Sequence, residues 1–336
     1  MKRKNNIITL IVTAILIVSC SKSDDLNTQN LWSISKIPTN FSAVNSKYDD
    51  YNSAYPDGDH LPMGLFFSSN RNTQGENFDI VYYTLELIFS SNKDSLTSIK
   101  EFDPGYESFY TKQFIDTINT TYDEYGPFYW KWKSYPENEI ISSIFKYAIL
   151  YSNNSVGNQD IKCIVSEANY EDSTYKSRIL NLDNINTEYN EMYPCVYGSQ
   201  FYFTSDRTGN FDIYSTNIIK DFEFDSADFE LSSNIERNEI LSSSSDDKCP
   251  FVQNDLMIFA SNRSGGYGGF DLWFSKKSNN GWSKPINFGK EINTEYDEYR
   301  PIIITIDESK DDLMVFSSNR SGGKGGFDLY YVGVSK

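Results

Sequence analysis

Histidine is nearly absent from this chain. His60 is the single one, and it sits in a turn, Pro56-Asp57-Gly58-Asp59-His60. A Ser-His-Asp triad or a histidine-built metal site would have to use it, so it reads as an exposed loop residue. Cysteine is scarce too. Apart from Cys20 there are Cys163, Cys195 and Cys249, an odd set that cannot all pair within one chain and that follows no zinc-ligand spacing. Each lies in or beside an apolar strand, which predicts buried free thiols. Positive charge is short: 30 Lys and Arg face 47 Asp and Glu, a net charge of −17. Such a chain is a poor partner for nucleic acid or an anionic lipid surface. Amphipathic helical runs are few, whereas the chain holds 25 Tyr and 23 Phe, residues that favour strands. Neither a cofactor nor a metal is expected. The Asp-rich turns at 307–312 and 55–59 match no known calcium loop. The run Gly322-Gly323-Lys324-Gly325-Gly326 lacks the Gly-Lys-Ser/Thr and the following helix of a phosphate cradle.

Long apolar runs are also missing, with one exception at the start. Lys2, Arg3 and Lys4 precede an apolar stretch from Ile7 to Val18, too short to span a bilayer. It ends in Ile17-Val18-Ser19-Cys20, which resembles a bacterial lipobox. That resemblance implies a signal peptide over residues 1–19, a lipid on Cys20 and a polar tether over 20–30. Ser21-Lys22-Ser23-Asp24-Asp25 is similar to the surface-export tag of some Gram-negative lipoproteins. Attachment to the membrane would then be through lipid only, with the protein at the bacterial outer membrane, facing the periplasm or the cell surface.

What the chain does have is a repeat. Ser317-Ser318-Asn319-Arg320, a glycine-rich loop and Phe327-Asp328-Leu329-Tyr330 close the sequence. The same unit appears at Ala260–Trp273, at Thr204–Tyr214, at Ser68–Ile80 and, most degenerate, at Ser152–Ile161. A lead-in, Tyr296-Asp297-Glu298-Tyr299-Arg300-Pro301, recurs as Tyr122–Pro127 and Tyr189–Pro194. Ser245–Pro250 and Tyr48–Tyr51 are its shortened forms. Each unit reads as four short strands, and periods of this size mean a β-propeller. The expectation is an all-β domain over residues 31–336 with five four-stranded blades, or six if the long first interval hides a degenerate one. The last unit ends after three strands, and Trp32-Ser33 with Pro38 parallels Trp282-Ser283 with Pro285. The N-terminal segment should therefore supply the missing outer strand and close the ring.

The Ser-Asn-Arg, glycine-loop and Phe-Asp-Leu-Tyr elements resemble the TolB-type, WD40-like propeller repeats of bacterial envelope proteins, over residues 31–336. The resemblance implies a platform for binding other envelope proteins. The alternative on the same architecture is a surface propeller that binds or hydrolyses glycans, which needs carboxylates rather than histidine.

Two further readings concern particular residues. Arg71 and Asp79, Arg263 and Asp271, and Arg320 and Asp328 are each eight apart, and Arg207 and Asp212 five apart. They flank the hairpin between the second and third strands, so a bidentate clamp across each hairpin is expected. Unit two has Asn154 in the place read as that of the arginine. Two insertions break the period, around Thr84–Asp116 and Phe128–Phe145, and both are expected on the face opposite the motifs. The second carries Trp130, Lys131, Trp132, Lys133 and Tyr135, an aromatic and basic set of the kind found in interaction hot spots. It would suit a membrane-embedded protein of the envelope.

If the lipobox is used, Cys20→Ala should move the protein from the membrane fraction to the soluble one. Unchanged sedimentation and detergent partitioning of the variant would refute lipidation.

Overall fold

The computed structural model describes residues 32–336 apart from 56–62, 91–94, 102–105, 132–143, 170–172, 221–228 and 308. His60, Trp132, Lys133 and Tyr135 lie outside the described residues, as does Cys20.

The described chain forms five antiparallel sheets that follow one another along the sequence. Blade 1 comprises Asp50–Ala54, Met63–Ser69, Asp79–Ser90 and Ser95–Glu101. Blade 2 comprises Glu124–Lys131, Ile144–Asn153, Asp160–Asn169 and Thr174–Asn181. In blade 3 the strands are Glu191–Tyr197, Gln200–Ser205 and Asp212–Lys220, with a broken fourth strand at Glu230–Leu231 and Glu236–Arg237. Blade 4 repeats this with Asp247–Gln253, Leu256–Ser261, Asp271–Ser278, Gly281–Trp282 and Ile286–Asn287. Blade 5 holds Glu298–Ile304, Asp311–Ser318 and Asp328–Ser335, and its fourth strand is Thr39–Asn40. The first strands contact one another in a closed circuit of five, so they line the axis. The fold is a five-bladed β-propeller.

Closure follows the expected route. Thr39 pairs with Tyr331 and Asn40 with Tyr330, antiparallel. Gly333 N–H donates to the Ser35 carbonyl at 2.7 Å, and Trp32 bridges Ser309. The six-bladed alternative fails because the long first interval is taken up within and after blade 1. Its third strand runs on to Ser90, a full fourth strand follows, and a helix, Tyr106–Ile118, precedes blade 2. This helix is not decoration on the far face. Phe114 and Ile118 are buried with Phe66 and Ile80 of blade 1 and Ile149 and Ile164 of blade 2, so it wedges between the two blades. Among the described residues no helix is long and apolar enough to cross a membrane.

The inner strands share one irregularity that positions everything on the axis. Pairing with the second strand shifts register after Tyr51, Tyr125, Met192, Lys248 and Tyr299. The next residue in each has a left-handed backbone: Asn52, Gly126, Tyr193, Cys249 and Arg300, with φ between 44° and 60°. A bulge of this kind turns the strand and re-aims its side chains, and left-handed φ is uncommon for residues other than glycine. The repeated lead-in is thus not a loop before the strand, as its sequence suggested. Its acidic residue begins the strand.

The glycine loops have a steric origin. Gly265 and Gly322 adopt φ of 96° and 90°. Gly268 and Gly325 are needed for close approach instead: a Cβ there would lie 2.3 Å from the Tyr296 carbonyl oxygen and 1.9 Å from that of Tyr48. Each loop therefore rests on the lead-in backbone of the following blade, and blade 5 rests on blade 1 in the same way.

A protein lacking residues 31–45 loses the fourth strand of blade 5 and should melt at least about 10 °C lower than the intact domain. A drop of only a few degrees, roughly the effect of 1 kcal/mol, would contradict closure by this segment.

Candidate functional site

The motifs converge on one face, where the lead-ins enter the inner strands and the second strands turn into the third. Each lead-in is fixed by its buried carboxylate. Asp50, Glu124, Glu191, Asp247 and Glu298 have no exposed surface. Each accepts a main-chain N–H from the lead-in, as in Thr187 to Glu191 at 2.7 Å and Thr294 to Glu298 at 2.9 Å. In four blades an arginine completes the clamp. Arg71 reaches Asp50 at 2.5 Å, Arg207 reaches Glu191 at 3.0 Å, Arg263 reaches Asp247 at 2.5 Å and Arg320 reaches Glu298 at 2.9 Å. Each guanidinium also donates to a lead-in carbonyl and lies over aromatic rings, as Arg320 lies over Phe316 and Tyr330. Charge-assisted bonds of this kind are the strong ones, and losing one partner would strand a buried charge.

The expected pairing of Arg71, Arg207, Arg263 and Arg320 with Asp79, Asp212, Asp271 and Asp328 is therefore corrected. Across the hairpin it is Ser69 and Ser318 that face Asp79 and Asp328. The arginine, two residues later, folds back over that serine towards the inner strand, as Arg71 Nε does onto Ser69 Oγ at 3.0 Å. The aspartates are engaged elsewhere. Asp271 and Asp328 accept N–H bonds from their own glycine loops and an amide from Asn287 or Asn40 on the fourth strand. Asp212 takes a two-point bond from Arg237 at 2.7 and 3.0 Å. Asp79 accepts from Asn72.

Blade 2 is the exception, and its register is one residue off the expected one. Asn154 Oδ1 accepts the Asp123 N–H, the role that Asn70 and Asn319 play in blades 1 and 5, so Ser155 stands where the others have arginine. Lys162, from the place of the aromatics Tyr214, Trp273 and Tyr330, turns into the gap and donates to Asn153 and Ser155 at 2.8 and 2.7 Å. Burial lowers its pKa. Glu124 is left with Thr120 and Asn153 as partners, and burial raises its pKa from 4.5 to about 7.

Inside this frame the axis carries a collar of half-buried aromatics. Phe270 meets Tyr299 at 4.6 Å, Tyr299 meets Phe327 at 6.1 Å, and Phe327 meets Tyr51 at 5.6 Å. Tyr51 meets Phe78 at 4.9 Å, and Phe78 meets Tyr125 at 5.1 Å. Lys248 continues the circle, its Nζ 3.9 Å from the Phe211 ring centroid and 5.3 Å from that of Phe270. Tyr51 and Tyr125 meet edge-on with ring centroids 5.9 Å apart, and burial raises the pKa of both. Around the collar the first tyrosine of the lead-in faces solvent. Tyr122, Tyr189 and Tyr296 are 46%, 43% and 36% exposed, and Tyr267 on the blade 4 loop is 53% exposed. Sequence reasoning missed both sets. The tyrosines were visible as part of the lead-in, but the bulge that sorts them into an axial and an outer ring leaves no sequence signature.

The carboxylates nearest the collar are engaged. Asp49, Asp123, Asp246 and Asp297 accept the main-chain N–H of Phe327, Phe78, Phe211 and Phe270 of the preceding blade, an interblade lattice. Among the described residues no group of three or more His, Cys, Asp or Glu could hold a metal ion. Cys163, Cys195 and Cys249 are buried free thiols, and burial raises the last two to about 11 and about 12. Of the expected partner-binding segment, Trp130 is half-buried, 5.3 Å from Phe229 of blade 3, and packs on the core between blades 2 and 3. Lys131 ends the inner strand of blade 2.

Glu124 yields a pH test. Its folded pKa lies above its unfolded one, so the native state keeps the proton longer and stability falls as pH rises from about 4.5 to about 7. Relative to Glu124→Gln, the wild type should lose melting temperature across this window and run parallel to it above. Parallel curves throughout would show that Glu124 ionises normally.

No family model matches the chain, and no curated protein matches it. Solved structures do. An endo-arabinase from Bacteroides thetaiotaomicron superposes with a TM-score of 0.54 at 10% identity, over 89% of this chain and 98% of that one. An α-L-arabinofuranosidase from Lactobacillus brevis gives 0.47 at 10% identity, over 87% and 93%. An exo-β-1,3-galactanase from Clostridium thermocellum gives 0.46 at 13% identity, over 91% and 62%. The expected kinship with TolB-type propellers is thus not supported, and the protein-scaffold reading that rested on it is withdrawn. What the first likeness establishes is the fold: over nearly its whole described length the chain is similar to a five-bladed propeller of the arabinase kind.

Proposed function

We propose that this protein is a glycan-binding propeller that holds a neutral polysaccharide across its motif face. The observation that carries the reading is the axial collar of Tyr51, Phe78, Tyr125, Phe270, Tyr299 and Phe327, surrounded by the exposed Tyr122, Tyr189, Tyr267 and Tyr296. Sugar rings present flat C–H faces that pack on aromatic faces, and tyrosine adds a polar tip for the hydroxyls. The net charge of −17 opposes an acidic polysaccharide and leaves a neutral one unaffected. The fold is one on which an arabinan-cleaving propeller is built, which supports a pentose-based chain. Cleavage would require two available carboxylates near the sugar, and the acids beside the collar are held in main-chain bonds, so binding is the activity assigned. In the envelope, a lipid on Cys20 and the tether over 20–30 would set this domain at the outer membrane.

Affinity electrophoresis through gels containing arabinan, galactan or polygalacturonate tests the reading. Retardation by a neutral polysaccharide and not by polygalacturonate is expected. The triple variant Tyr122→Ala, Tyr189→Ala, Tyr296→Ala should bind about tenfold more weakly, the effect of about 1.4 kcal/mol, with its melting temperature kept. No retardation by either neutral polysaccharide would overturn the proposal, and release of reducing ends would replace binding with hydrolysis.

A further inference from the structure

Beneath the collar, in the layer set by the bulges, lies a charge that the glycan reading does not use. Arg300 is the largest fully buried side chain, with no exposed surface. From the inner strand of blade 5 it reaches the inner strands of blades 2 and 3, its Nη2 donating to the carbonyls of Gly126, Pro127 and Pro194 at 3.3, 3.0 and 3.4 Å. Its Nε and Nη1 meet no acceptor. The ionisable groups that act on it are Cys249, Cys195 and Tyr193. All three keep their protons at neutral pH, because burial raises the pKa of each. Asn52 occupies the same register in blade 1, is equally buried, and neither its Nδ2 nor its Oδ1 is hydrogen-bonded.

The contrast with the clamps is direct. Arg71, Arg207, Arg263 and Arg320 each find a buried carboxylate, whereas Arg300 faces carbonyls, neutral thiols and the Tyr193 ring, 5.6 Å from its guanidinium carbon. A buried cation with no anionic partner is strongly disfavoured, and buried donors left unmade add to that. We propose that the axial layer under the collar binds one small monovalent inorganic anion of the halide class, held by Arg300 Nε and Nη1, with the unpartnered Asn52 amide as a further donor at the same register of blade 1. One positive charge matches one negative charge. The surrounding thiols, prolines and tyrosine supply few further donors, which disfavours a multiply charged oxyanion. The net acidity of the chain works against long-range attraction of anions, so the site's selectivity is local. Because it lies a layer below the sugar-facing rings, the site stands or falls independently of glycan binding.

The test is thermal melting of the intact protein in rising sodium bromide or chloride against sodium gluconate at equal ionic strength. Gluconate is too large for a closed site. A ligand bound only by the folded state raises the melting temperature with the logarithm of its concentration. Over a tenfold rise the halides should therefore add about 2–4 °C more than gluconate does. Arg300→Met removes the charge at similar volume and should abolish the difference. Bromide-soaked crystals of the wild type give a second measurement, an anomalous peak within about 3.5 Å of Nε or Nη1, a hydrogen-bonding distance. An equal rise in gluconate, or water alone at Arg300 in those crystals, would overturn the proposal.

Discussion

A carboxylate with no access to water begins every inner strand, and the rest of the propeller is arranged to make that tolerable. Such a group cannot be left unpaired. Its needs are met by an N–H four residues before it, in three blades by that residue's threonine hydroxyl, in four by a serine or asparagine at the end of the second strand, and in four by an arginine that also bonds a carbonyl just upstream. The lead-in, once held, offers a second staple. Asn45, Asn119, Asn186 and Asn293 each bond both the N–H and the carbonyl of a residue on the third strand of the preceding blade. An interaction within one blade thereby fixes the joint between two. The hydrophobic interfaces beneath, such as Phe259, Met257 and Trp273 against Tyr202 and Ile213, inherit their alignment from it.

Blade 2 shows that the constraint concerns charge and volume rather than residue type. With serine in the arginine's place, a lysine enters from the third strand, where blades 3, 4 and 5 put an aromatic ring and blade 1 a valine. The compensation is partial, because Lys162 bonds Asn153 and Ser155 and leaves Glu124 without a cation in contact. Burial raises the pKa of Glu124, and hydrogen bonds from Thr120 and Asn153 oppose the shift.

Much of the architecture was legible because repeats announce themselves. The five units, the strand count and the N-terminal strand of blade 5 follow from recurring residues such as Pro38 and Pro285, each two before the asparagine that pairs with the third strand, although Trp32 bridges Ser309 and does not take the place of Trp282. The hairpin clamp misled because an eight-residue spacing says that two residues flank a turn, not that they face each other, and the ladder puts Ser318 opposite Asp328. The same limit hid the axis. Whether Tyr296 or Tyr299 looks outward depends on a bulge whose left-handed residue is asparagine, glycine, tyrosine, cysteine or arginine in turn, so no residue type marks it. Family kinship was the weakest inference, since short motifs that encode a blade do not encode an activity.

The seam between Thr39–Asn40 and the last strand has a consequence for how the molecule comes into being. Asn40 and Asp328 are 288 positions apart, so this contact has nearly the largest sequence separation available in the chain. Loop closure over such a distance is slow. Four blades can stack in order as they are made, while the segment synthesised first waits for the fifth. Ring closure is then the last event of folding. The paired strand there is only two residues long, so the hold on the last strand rests as much on the bonds beside it, from Gly333 N–H to Ser35 and from Phe41 N–H to Leu329.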